Sequence, residues 1–264
     1  MIGLSIREEH YQIFRGCFPQ PPVLADIDGA EGRSPPAWFR LLKDIPFDCQ
    51  VDKLPENANR LALLDLARKS ENEMPTAELC VAILAWGGMH PNNGKRLFSK
   101  DPQHWIRLSH SIRTGELARS EAYDEYSKLR AKGELPGMGP AYFTKLIYFL
   151  MPGTQGKPKG YIMDQWLGCS MNLLFGEKTV KLDENTWWQT PDEVRVRSRV
   201  SDANSANDYE NFCCAVEFIA NDMGAPWTPD LVERALMSEG GRRAHDWRRY
   251  VMEQRWLGKF ERLR

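Results

Sequence analysis

The sequence lacks an excess of charge of either sign. Its 264 residues include 35 lysines and arginines against 36 aspartates and glutamates, which gives a formal net charge of −1. Bulk charge therefore does not indicate a polyanionic partner, and a surface for such a partner would have to be a local basic patch. Hydrophobic residues make up 42% of the chain, which excludes a disordered protein and suffices for one large domain or two subdomains.

Long apolar runs are also absent. No stretch is long enough to cross a bilayer, so we expect no membrane partner. The first residues, Met1 to Arg7, lack the apolar core of a signal peptide. The expected location is the cytoplasm.

The six cysteines and five histidines show no metal-ligand spacing. No C-x-x-C pair occurs, and the adjacent Cys213 and Cys214 fall in a helical pattern, where neighbouring side chains point to different faces. We expect reduced, mostly buried thiols, no bound metal and no cofactor.

Strand patterns are scarce, whereas helical periodicity recurs along the chain. Strand signals occur only between residues 179 and 200, where valines and arginines alternate. Residues 1–50 are predicted to be irregular, apart from a short helical piece at 38–42. The sequence therefore predicts an all-α protein with a short β ribbon. The predicted helices cover residues 59–69, 75–86, 109–117, 122–131, 207–221, a segment that begins at 228, and 247–264.

The segment Leu135–Ala141, L-P-G-M-G-P-A, predicts a glycine hairpin that opens a helix. Gly137 and Gly139 suit a tight turn and allow close approach of another backbone. Pro140 suits the first turn of a helix, which we expect to run from Pro140 to Leu150. The N-terminus of such a helix can bind a phosphate. The alternative interpretation is a simple turn before a core helix.

A single acid follows this hairpin helix after a basic loop. Tyr161-Ile162-Met163 leads to Asp164, and an apolar helix continues from Trp166. Asp is a common helix cap, which is the structural interpretation of Asp164. The functional alternative is that Asp164 faces a sugar, because a hairpin suited to phosphate precedes it.

L-P-G-M-G-P-A, a helix, a short loop and I-M-D-Q-W together resemble the helix-hairpin-helix DNA glycosylases. Within them, the chain looks most like the prokaryotic 8-oxoguanine glycosylase-like (OGG-fold) proteins, with the strong match at residues 133–174. The resemblance implies one glycosylase-like domain over residues 1–264, two helical subdomains with a cleft between them, and a monomer that binds double-stranded DNA. Closely spaced cysteines hold an iron–sulfur cluster in some relatives; none follow Cys214, so we expect no cluster.

The resemblance assigns roles residue by residue. Asp164 matches the family's catalytic aspartate, and Gly137 and Gly139 match its hairpin glycines. Ala141 stands where bifunctional relatives carry a Schiff-base lysine, so a monofunctional enzyme is expected. Lys145 lies one helical turn later on the same face, where it either replaces the amine, contacts the base or is a solvated lysine.

A second candidate site runs from Trp86 to Lys95. Related glycosylases supply here an Asn or Gln that fills the gap left by the flipped base, a role that Asn92 or Asn93 could take. Trp86 and Trp166 are candidates for the base pocket, because flipped bases are often held by aromatic faces. The alternatives are an ordinary Asn-Gly turn and a core tryptophan.

Basic residues cluster before Asp164 and at the C-terminus. Lys157 and Lys159, with Gly137, Met138 and Gly139 of the hairpin, are the predicted DNA contacts. Most of the arginines of the C-terminal tail are interpreted as a solvated face.

The sequence hypothesis is a DNA glycosylase in which Asp164 stabilises the oxocarbenium-like sugar or orients water. Some relatives are phage-defence enzymes that remove glucosylated 5-hydroxymethylcytosine, which makes that base in phage DNA a candidate substrate. The alternatives are an oxidised-guanine repair glycosylase with AP-lyase activity and a catalytically silent DNA-binding module. A carboxylate in a pocket would favour the enzyme, and a buried cap would favour the binding module.

Overall fold

The computed structural model describes residues 5–22, 33–151, 158–176, 178–189, 194–239 and 243–260, with backbone only at 185–189, 194–197 and 256–260. This part of the chain is mostly helical and has one two-stranded antiparallel sheet. The predicted all-α fold with a short ribbon is confirmed. In chain order the elements are α1 (Glu8–Cys17), α2 (Pro35–Arg40), a 3-10 turn (Val51–Lys53), α3 (Arg60–Ala67), α4 (Thr76–Trp86), α5 (Pro91–Phe98), α6 (Gln103–Arg113), α7 (Arg119–Ala131), α8 (Pro140–Leu150), α9 (Gln165–Phe175), β1 (Leu182–Gln189), β2 (Val194–Val200), α10 (Ala206–Met223), α11 (Pro229–Met237) and α12 (Asp246–Phe260).

The chain divides into two compact units, and residues 24–162 form one of them. Its centre is α4, which is apolar on nearly every side and packs against α2, α3, α6 and α8, as expected of a buried core helix. The predicted apolar stripe of α8 is buried in the same core: Phe143, Leu146, Ile147 and Leu150.

Residues 1–23 and 163–264 form the other unit. Helix α9 packs against α1, α11 and α12. A buried polar link joins three of these helices: the Ser170 hydroxyl donates to the Leu236 carbonyl (2.9 Å) and accepts from the Trp247 indole N–H (3.1 Å). The core of this unit therefore fixes α9, the helix that begins directly after Asp164.

Helices α1 and α6 differ from the sequence prediction. Helix α1 lies in the segment expected to be irregular, because only Tyr11 and Phe14 mark its buried face. Helix α6 runs from Gln103 to Arg113 rather than over 109–117; it ends there because Gly115 adopts a left-handed conformation (φ 76°) that an α-helix does not continue.

Three further properties concern only the described residues. None of the helices they form is long and apolar enough to span a membrane. No group of His, Cys, Asp or Glu among them could hold a metal ion. All six cysteines lie within this part of the chain and are free thiols, and burial raises the pKa of Cys169 to about 11.

Candidate functional site

Helices α7 and α8 are joined by the predicted hairpin, residues 132–139. Gly137 takes a left-handed conformation (φ 86°), and a Cβ placed there would lie 2.8 Å from the Asn93 carbonyl oxygen. Gly139 instead is extended (φ −97°, ψ −173°) and is the N-cap of α8. Of these two glycines, Gly137 alone therefore uses backbone freedom that other residues lack.

The hairpin leaves two backbone donors unused. Within the described residues, the N–H groups of Gly137 and Gly139 have no hydrogen-bond acceptor, and both glycines are half-buried. Met138 differs, because its N–H donates to the Leu135 carbonyl (3.2 Å) and its side chain is fully buried. The side chain of Met138 therefore packs inside the hairpin, and its predicted contact with DNA stays a prediction.

Two long cationic side chains fasten the hairpin. Arg130 donates to the Leu135 carbonyl (2.8 Å), and Lys100 donates to the Gly133 carbonyl (2.9 Å). Because these carbonyls are satisfied from α7 and from the loop between α5 and α6, the turn is held in one shape, which suits a preorganised backbone site.

Lys145 turns back along α8 toward Ala141. Its ammonium donates to the Ala141 carbonyl (2.9 Å) and lies 5.5 Å from the centre of the Tyr142 ring. Its stem packs on the backbone of Gly87, where an added Cβ would lie 2.8 Å from the Lys145 Cδ. The half-buried amine thus lies beside the position at which bifunctional relatives carry their lysine.

The segment after Trp86 forms a helix start, so the Asn-Gly turn considered from the sequence is wrong. Helix α5 begins at Pro91, and the His90 imidazole accepts from the Asn92 N–H (3.2 Å). Asn92 is exposed, whereas Asn93 is half-buried with its backbone against Gly137. The structure therefore brings Asn93 to the hairpin.

Trp86 is half-buried rather than enclosed in the core. It makes an edge contact with Phe149 (5.0 Å between ring centres), and the Arg60 guanidinium lies 5.7 Å from its ring. Lys159 is also half-buried, with its ammonium 4.1 Å from the centre of the Tyr148 ring. Lys157, the other predicted DNA-contacting lysine, lies outside the described residues.

Asp164 is the N-cap of α9. Its Oδ1 accepts from the N–H groups of Trp166 (2.8 Å) and Leu167 (3.0 Å). The residue is half-buried, and its Oδ2 has no hydrogen bond within the part of the chain that the structure describes. The cap interpretation is therefore confirmed, but the cap uses one oxygen and leaves the second available.

Arg248 adjoins this helix start, although the run of basic residues in the tail predicts a solvated face for most of them. It is only 6% exposed, and its guanidinium lies 3.9 Å from the centre of the Trp166 ring. Burial lowers the pKa of Arg248 to about 10, and the nearby charge of Asp164 opposes that effect. The spacing of the buried Trp247 and Val251 predicts a buried face for α12, but it does not single out Arg248, because adjacent helix residues point to different faces.

A family model described as "Putative 8-oxoguanine DNA glycosylase OGG-like protein" matches residues 29–237. The chain belongs to this OGG-like family. The match covers the hairpin, Lys145, Asp164 and Trp166 but ends before Arg248. OGG-like membership supports a DNA glycosylase-like function and implies DNA binding. Neither the curated proteins nor the solved structures contain a match to the chain.

Proposed function

We propose that this OGG-like protein is a monofunctional DNA glycosylase that flips a modified base out of duplex DNA and hydrolyses its N-glycosidic bond. The observation that carries the proposal is that the two oxygens of the Asp164 carboxylate have different surroundings. One oxygen is fixed by two backbone N–H groups, and the other has no partner among the described residues. A carboxylate held in this way is oriented before the substrate arrives.

The chemical role of Asp164 follows from the charge that develops during cleavage. The sugar becomes oxocarbenium-like as the base departs, and a fixed carboxylate oxygen stabilises that positive charge or orients the attacking water. Since the water attacks the sugar, the products are a free base and an intact abasic strand.

The hairpin is proposed to hold the DNA backbone. The unused N–H groups of Gly137 and Gly139 are suited to phosphate oxygens, and the N-terminus of α8 adds a favourable dipole. Such contacts fix the position of the strand without reading its sequence. They offset part of the few kcal/mol that extruding a base costs.

The proposed substrate is a modified base, with glucosylated 5-hydroxymethylcytosine in phage DNA as the first candidate. The family's description names 8-oxoguanine, which is the second candidate. Trp86 and Trp166 are proposed to contact the flipped base, and Asn92 or Asn93 to occupy the gap left in the duplex. Lys159 is proposed to contact phosphate.

The decisive test is the rate of base release by Asp164→Asn. Asn is as good a helix cap as Asp, so this variant keeps α9 while it removes the charge. We expect a loss of about 100-fold or more in single-turnover base release, with unchanged affinity for DNA. Asp246→Asn, which removes an exposed acid from the first turn of α12, is the matched control and should act like the parent. Equal rates for Asp164→Asn and the parent would disprove the assigned role.

A further inference from the structure

The guanidinium of Arg248 is anchored by two backbone carbonyls as well as by its ring contact. Its Nη2 donates to the carbonyls of Met237 and Ser238, at the end of α11, the second at 2.8 Å. The C-terminal carbonyls of a helix carry partial negative charge, so they favour a cation at this place. These hydrogen bonds fix the plane of the guanidinium independently of its contact with Trp166.

The Trp166 indole is held at two points. The Arg248 guanidinium covers one face at 3.9 Å. When the Gln165 side-chain amide is turned so that both of its ends are satisfied, the indole N–H donates to the Gln165 oxygen (3.1 Å). In the same orientation the Gln165 amide nitrogen donates to the Ser198 carbonyl. A planar guanidinium stacks on an aromatic face in a way that an ammonium cannot reproduce.

The backbone of Trp166 connects this stack to the acid. The Trp166 N–H is one of the two donors that fix Asp164 Oδ1 (2.8 Å). A displacement of Trp166 would therefore disturb the carboxylate directly. The charges of Arg248 and Asp164 also interact, because Asp164 opposes the effect of burial on the Arg248 pKa.

We propose that Arg248 is a positioning residue that holds Trp166 in one orientation by stacking and, through the Trp166 N–H, keeps Asp164 aligned. The effect on Asp164 rests on the proposed function, whereas the stacking of Arg248 on Trp166 can be tested without any measurement of activity. It adds to the reaction a residue that lies outside the region matched by the family model.

The experiment compares R248K with R249K in the full-length protein. R248K keeps the charge and loses the planar stack, whereas Arg249 is an exposed neighbour that pairs with Asp246. All tryptophans are labelled with 5-fluorotryptophan, and the Trp166 ¹⁹F resonance is assigned with W166F. We expect R248K to shift or broaden that resonance and R249K to leave it unchanged.

The kinetic readout separates positioning from a general loss of structure. In R248K we expect single-turnover base release to fall about 10-fold or more, because small misplacements of catalytic groups are costly, while the Kd for DNA changes less than about twofold. W166F combined with R248K should be no slower than W166F alone, since residues that act through one another are not additive. Additive losses would contradict action through Trp166.

The inference and the proposed function fail in different ways. Absence of base release by the parent would overturn the proposed function before any variant is made. An unchanged Trp166 resonance in folded R248K would overturn the inference, whatever the activity. If R248K does not fold, the W166L variant tests the stack by removing the ring instead. The Arg248 Nε–H resonance must then lose its ring-current shift, while the Arg249 Nε–H resonance stays unchanged. An Arg248 resonance that does not move would overturn the inference.

Discussion

At the scale of single residues, the geometry of Asp164 is compatible with both its role as a cap and the proposed catalytic role. A cap requires one acceptor oxygen, and Oδ1 provides it for both the Trp166 and the Leu167 N–H groups. A carboxylate has a second oxygen, which an N-cap serine or threonine would not offer. The same residue can therefore begin α9 and present a charged oxygen to a sugar.

Lys145 leads to a prediction about the reaction class. Its Nζ is engaged by the Ala141 carbonyl (2.9 Å), and Ala141 itself stands where bifunctional relatives carry their nucleophilic lysine. We expect little covalent trapping of the protein on DNA by borohydride, and strand breakage only after hot alkali.

The control for this prediction is an exposed lysine of α7, Lys128→Gln. A borohydride-trapped complex that persists in Lys128→Gln and vanishes in Lys145→Gln would identify Lys145 as the nucleophile and contradict a monofunctional reaction. If Lys145→Gln keeps base release but changes which base is removed, Lys145 belongs to base recognition.

At the scale of elements, the two hairpin glycines have different duties. Gly137 has φ 86° and no room for a Cβ beside Asn93, so Gly137→Ala should destabilise the protein by at least the roughly 1–2 kcal/mol that a left-handed conformation costs. Chemical denaturation measures this change. A parent-like free energy of unfolding would show that the hairpin relaxes without cost.

Gly139 has an extended backbone, so Gly139→Val should fold. Its branched side chain would stand beside the unused N–H groups and keep phosphate away. We expect weaker binding to every DNA sequence alike, because backbone contacts carry no sequence information. Fluorescence anisotropy at fixed salt tests this. Unchanged affinity in folded Gly139→Val would exclude the hairpin as the backbone grip.

The start of α10 predicts a pH dependence of stability. Partial burial acts to raise the pKa of Asp208, but hydrogen bonds from Lys181 and Ser205 outweigh it, so that this pKa lies below its ordinary value. The stabilisation is therefore complete above the unfolded-state pKa, near 3.9, and is lost as the pH falls through the lower folded-state pKa. The Tm of Asp208→Asn should be lower than the Tm of the parent at pH 7, and the difference between the two Tm values should become smaller below about pH 4. A gap that is independent of pH would contradict the role of the Asp208 charge.

Elements with strong local signals were predictable from the sequence. Pro140 and the stripe of α8, and Thr228 with Pro229 at the start of α11, specify helices through neighbouring residues alone. The start of α5 was not predictable in this way, because a helix that begins at Pro91 overrides the turn preference of Asn-Gly. Arg248 was missed for a related reason: its stacking partner Trp166 is distant in sequence, and no local pattern reports such a contact.

At the scale of the whole molecule, the balance of 35 basic and 36 acidic residues means that DNA affinity has to come from small local surfaces. The hairpin supplies neutral N–H donors, which need no excess of positive charge. The near-neutral composition is thus compatible with the DNA binding that the OGG-like family implies.

The most direct measurement is mass spectrometry of free bases released by the parent protein. Three DNAs are compared: phage DNA with glucosylated 5-hydroxymethylcytosine, a duplex with 8-oxoguanine, and a matched unmodified duplex. We predict free glucosylated 5-hydroxymethylcytosine in an amount equal to the abasic sites formed, and no base from the unmodified duplex. Release of 8-oxoguanine alone would support the glycosylase activity but identify 8-oxoguanine as the substrate. Binding to all three DNAs without release of any base would contradict the central claim and leave a DNA-binding module.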